Sequence, residues 1–215
     1  ISSKYEILFW QENEILFYSF DEKQNQFLKN IFSKNDLINT DKMDFDYPVF
    51  TSISWNKSDR YVKRTFEKRV NIDENCTINT SFEIKSKHNF NITEELNIKN
   101  FLYDMWILWD VDIKEVLNIQ WKSENNQYVR IYIPENAIIN NSQNYKVKVL
   151  DNRKEISFYL QTPLLFESDF KINYSIPNKD CKEYDFDFIK QPWLKNYEFN
   201  YYKNWNLINN FYNPN

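Results

Sequence analysis

The sequence predicts a mainly β protein. Residues 119–190 read as an antiparallel β-sandwich, residues 1–118 as a mixed α+β region, and residues 191–215 as an aromatic-rich tail. Three observations carry this. Short segments in the second half alternate apolar and polar residues with period two, the mark of a strand with one buried face. Polar connectors such as "NNSQN", "LDNRK" and "PNKD" separate them at the spacing of an antiparallel meander. The chain also holds 18 Phe and 15 Tyr but no Gly, so its core is built from rings and β-formers.

The elements follow in order. "YEILFW-QENE-ILFYSF" (5–20) reads as a hairpin and "NQFLKNIF" (25–32) as a short helix. "CTINTSFEIK" (76–85) places Ile78, Thr80, Phe82 and Ile84 on one face of a strand. Over 101–117, Leu102, Trp106, Trp109, Ile113 and Val116 fit a helical stripe, while the β-branched and aromatic content also fits strands; the helical reading is the one preferred. In "WKSENNQYVRIYIPEN" (121–136), Val129, Ile131 and Ile133 oppose Tyr128, Arg130 and Tyr132. "YKVKVL" (145–150), "EISFYL" (155–160), "DFKINYSI" (169–176) and "EYDFDFI" (183–189) continue the alternation. The expected inner faces carry Val129, Ile131, Ile133, Val147, Val149, Phe158, Phe170 and Ile172. Without Gly, left-handed turn positions are expected to fall on Asn and Asp. The tail contains Trp193, Tyr197, Phe199, Tyr201, Tyr202, Trp205 and Phe211 with no clean period.

Composition narrows function. The abundant residues (Phe, Tyr, Ile, Asn, Lys) have AT-rich codons and the missing ones GC-rich codons. This points to an AT-rich genome and makes much of the Asn and Lys content mutational background. A net charge of −4 argues against nucleic acid as the main partner. The longest apolar stretch, 101–117, is interrupted by Asp104, Asp110 and Asp112 and is too short to span a bilayer. Phosphate-cradling loops and nucleophile elbows need a residue without Cβ, and two Cys with one His do not make a standard zinc site. No cofactor is expected.

The chemical candidates are few. Asp-x-Asp occurs at Asp44/Asp46, Asp110/Asp112 and Asp185/Asp187. Two carboxylates about 6–7 Å apart on one strand face can serve as acid and base or hold a cation. They can equally be exposed faces of an Asp-rich chain. His88, the single His, lies in the polar stretch "KSKHNFN" and reads as a solvated loop residue. Cys76 and Cys181 are either one disulfide joining the two halves or two separate thiols. Sequons begin at Asn56, Asn75, Asn79, Asn91, Asn140 and Asn173. Core packing accounts for most of the 7 Trp, whereas Trp193 and Trp205 lie beyond the last clear strand and face a partner most readily. With Tyr201 and Tyr202 they form the candidate partner-binding set, Trp193 packing on its own chain and Trp205 on the partner.

Residues 121–205 resemble the CS domain of the small acidic co-chaperones that bind the ninety-kilodalton heat-shock chaperone. Trp121, the turn "KSENNQ" and Tyr128–Val129 match its opening, Val147 and Val149 its V-x-V strand. "ISFYL" and "ESDFKINYSIPNKD" follow, and "DFDFIKQPWLKNYEFNYYKNW" matches its closing strand and Trp-bearing tail. No Gly precedes the closing Trp, and the resemblance leaves residues 1–110 unaccounted for. It implies a CS or immunoglobulin-like sandwich whose tail crosses the domain surface and contributes to partner binding. The expected function is a non-enzymatic protein-interaction module, co-chaperone-like or a subunit of an assembly, partnered by other protein subunits in the cytosol or an organelle. The alternatives are an accessory subunit of an organellar complex, a secreted or viral glycoprotein that binds protein or carbohydrate, and a carboxylate-based hydrolase.

Overall fold

The structure, a computed structural model, describes residues 5–11, 14–19, 42–54, 56–104, 112–140, 144–150, 152–179, 181–189, 191, 194 and 197–213. The expected helix at 25–32, together with Trp106, Trp109, Asp110 and Trp193, lies outside the described residues. The N-terminal hairpin forms as expected: β1 (Tyr5–Gln11) pairs antiparallel with β2 (Glu14–Ser19).

The remaining strands are β3 (Asp44–Ser52), β4 (Val62–Ile72), β5 (Ile78–His88), β6 (Asn125–Pro134), β7 (Ile138–Ile139) and β8 (Lys146–Leu150). β9 (Arg153–Thr162), β10 (Glu167–Ile176), β11 (Phe186–Phe188), β12 (Tyr197–Lys203) and β13 (Asn206–Asn213) complete them. They build two sheets, in the orders β13-β12-β4-β5-β10-β7 and β11-β3-β6-β9-β8. One core lies between them, drawing Phe66, Phe82 and Ile172 from the first sheet and Phe50, Ile131 and Phe158 from the second. The molecule is therefore mainly β, with two open sheets packed as a sandwich.

Four features differ from the sequence expectation. Both sheets are mixed, because β12 runs parallel to β4 and β11 parallel to β3. Strands from before and after residue 118 interleave in both sheets, so the expected boundary there does not fall between layers. The tail is regular: β12 lies in the six-stranded sheet between β4 and β13, with Tyr197 and Phe199 buried. Val147 and Val149 were expected in the core but are 46% and 61% exposed on β8, an edge strand of its sheet among the described residues.

Two helices, α1 (Ile92–Asp104) and α2 (Ile113–Gln120), flank the undescribed centre of the 101–117 stripe. Asp112 caps α2, accepting from Lys114 N and Glu115 N. Leu102 and Leu117 bury beside Phe90 and Trp121 in a small satellite core. The left-handed positions also depart from expectation. Asn204 takes one, but the others fall on Cys76, Leu165, Cys181 and Trp205. In a chain without Gly, tight turns impose positive φ on residues that adopt it at a cost.

Candidate functional site

The alternation of β4 places Val62, Arg64, Phe66, Lys68 and Val70 on its inner face. The inner face of β3 carries Asp44 and Asp46. A lysine and two carboxylates thus enter the sandwich from opposite sheets, all fully buried. Lys68 Nζ lies 2.7 Å from Asp44 Oδ2 and 2.6 Å from Asp46 Oδ2, and donates to the Tyr174 hydroxyl at 2.8 Å. The Tyr174 hydroxyl is 3.0 Å from Asp44 Oδ1 and 2.9 Å from Asp46 Oδ1, and donates to one of them at a time. Tyr184 donates to Asp44 Oδ2 at 2.7 Å. The ring of Phe186 closes the pocket 4.3 Å from the ammonium.

Burial dominates the electrostatics. It pushes the Asp46 carboxyl up to about 6, against the lowering pull of Lys68 and with a further push from Asp44. Burial and the neighbouring carboxylates raise both tyrosines well above the ordinary phenol range, so they remain neutral donors. The D-x-D pair read from sequence as exposed or catalytic is neither solvated nor open to a substrate: it is locked to a lysine between two sheets.

The other candidates separate. Asp112 is a helix cap, and Asp185 accepts from Met43 N and pairs with Lys42 at the surface. His88, expected to be solvated, ends β5 and is fully buried, which lowers its pKa, with the Trp121 backbone acting in the opposite direction. Cys76, in the β4–β5 turn, and Cys181, ahead of β11, form a disulfide across 105 residues of chain.

Of the aromatic partner-binding set, Tyr202 and Trp205 share a groove on the outer face of the six-stranded sheet. Its volume is about 330 Å³, and Arg69, Asn71, Asn79 and Asn173 also line it. Arg69 stacks on Tyr202 at 4.5 Å. Trp205 sits at the tip of the β12–β13 hairpin with φ 69° and 80% exposure. Tyr201 points the other way, stacking on Phe186 at 5.3 Å beside a second cavity of about 630 Å³. β13 pairs only with β12 among the described residues, and Leu207 and Ile208 are exposed along it.

Sequence reasoning missed Lys68, Tyr174 and Tyr184. The available signal was the parity of β4, where Val62, Phe66 and Val70 share a register with Arg64 and Lys68. No family model, no curated protein and no solved structure matches the chain. Among the described residues, no helix is long and apolar enough to cross a membrane.

Proposed function

We propose that the protein is a non-enzymatic interaction module that engages another protein chain through the β12–β13 hairpin. The observation that carries this is Trp205, an indole held outward at a hairpin tip in a left-handed conformation that bulky residues avoid. An exposed Trp at the turn before a strand that carries exposed Leu207 and Ile208 and, among the described residues, pairs only with β12 suits addition of an extended partner segment. The groove under Trp205 and Tyr202 supplies the pocket for an anchoring side chain. Sealing of Asp44 and Asp46 between the sheets supports binding over carboxylate hydrolysis, because a substrate has no access to them.

The co-chaperone-like form of this reading rests on the resemblance of residues 121–205. The Cys76–Cys181 disulfide favours an oxidising compartment, and with it the secreted or viral form of the module. The test is site-specific photo-crosslinking in the native source. A photoreactive residue at position 207 should yield a discrete protein adduct that is lost in Trp205→Ala, whereas one at Tyr159, exposed on the other sheet, should not. Equal adducts at both positions, or an adduct indifferent to Trp205→Ala, would contradict the proposal.

A further inference from the structure

We propose that Lys68 and Asp44 condense to an intramolecular isopeptide bond, covalently joining the two sheets, with Asp46 as the proton-transfer group. Three parts that such a reaction needs stand together. The nucleophile is the Lys68 amine, whose nitrogen lies 2.7 Å from one Asp44 oxygen, close enough for attack on Cγ after a small side-chain shift. The electrophile is the Asp44 carboxyl, polarised by the Tyr184 hydroxyl at 2.7 Å on Oδ2 and by the Tyr174 hydroxyl within 3.0 Å of Oδ1. The proton carrier is Asp46, 2.6 Å from the same nitrogen.

The medium makes the reaction accessible. In water an ammonium and a carboxylate are too stable to condense. Here both groups are fully buried, with the Phe186 ring 4.3 Å from the ammonium, and have lost the water that stabilises them in solution. The upward shift of Asp46 fits a carboxyl that accepts the lysine proton near neutral pH.

The step balances without any co-reactant. The Lys68 ammonium passes one proton to Asp46, and the neutral amine attacks Asp44 Cγ to form the new C–N bond. One carboxyl oxygen then departs as water. It takes one proton from Asp46 and one from the nitrogen, while the C–O bond breaks. Asp46 returns to a carboxylate, and the amide keeps one hydrogen on nitrogen. The Tyr174 hydroxyl on Oδ1 and the Tyr184 hydroxyl on Oδ2 each stabilise one of the two oxygens of the tetrahedral intermediate. The reaction runs once per chain and leaves β3 and β4 cross-linked.

Intact-mass measurement of the purified full-length protein, after disulfide reduction, tests this. The wild type should fall short of its sequence mass by one water. Proteolysis should release a branched peptide joining the segments around Asp44 and Lys68. Asp46→Asn, which keeps both bonding residues, should show the full sequence mass. Asp44→Asn should still cross-link, now with loss of ammonia. A wild type at full sequence mass overturns the proposal, and so does a branched peptide through Asp46 instead of Asp44. Lack of effect of Asp46→Asn removes Asp46 from the mechanism. Because the wild-type mass alone decides whether the bond exists, misfolding of a variant does not rescue the idea.

Discussion

Two single residues carry consequences that solution measurements can read. Lys68 is the only cation facing Asp44 and Asp46 among their ionic partners in the described residues, and all three side chains are fully buried. Lys68→Met leaves two carboxylates stranded between the sheets. It should lower stability in urea by at least about 3–5 kcal/mol, the usual cost of an unpaired buried charge; a loss under about 1 kcal/mol would show that water reaches the cluster. His88 gives the opposite kind of signal. Its pKa is lowered in the folded state by burial, so the unfolded chain takes up its proton first. The stability associated with neutral His88 is present above the ordinary imidazole range, near pH 6.5, and is lost as pH falls below it. The unfolding midpoint of the wild type should therefore drop relative to His88→Leu between about pH 7.5 and pH 5.5. Parallel pH profiles for the two proteins would place the imidazole in water.

Legibility was uneven from element to element, for physical reasons. β6, β9 and β10 were readable because their apolar residues recur at every second position and bury on one face. β3 and β4 were not, because Asp44, Asp46, Arg64 and Lys68 stand at inward positions where the pattern asks for apolar residues. Lys68 neutralises Asp44 and Asp46 across the sandwich, which sequence order does not reveal, and Arg64 pairs with Asp59 just ahead of β4. Pro48 also obscured β3; nearby, the Gln191 side chain bonds both Phe50 N and Phe50 O, standing in for a neighbouring strand. β8 misled in the other direction, since "KVKV" alternates like a core strand yet stands exposed at a sheet edge among the described residues. The contrast is measurable. Ile131→Ala should cost about 2–5 kcal/mol, and Val149→Ala no more than about 0.5 kcal/mol, both from denaturant midpoints. The last hairpin belongs to the fold as much as to the surface. Deleting residues 200–215 removes half of β12, so the truncated chain should melt well below the full one.

Across the whole molecule, the sandwich is held at points distant in sequence. The Cys76–Cys181 disulfide closes 105 residues, and loss of a closure of that length costs about 2–5 kcal/mol. Cys76→Ser with Cys181→Ser should show this in denaturant while the far-ultraviolet spectrum stays β-rich. The interior cluster fastens sheet to sheet, and in the function proposed above the β12–β13 hairpin carries recognition. That division of labour is the central claim, and amide hydrogen exchange tests it most directly. The chain is compared alone and in complex with the protein captured through position 207. The account predicts slow exchange in β4 and β5 in both states, with new protection on binding confined to residues 204–213. Protection that appears instead along β8, or unchanged exchange throughout 204–213 in the complex, would contradict it.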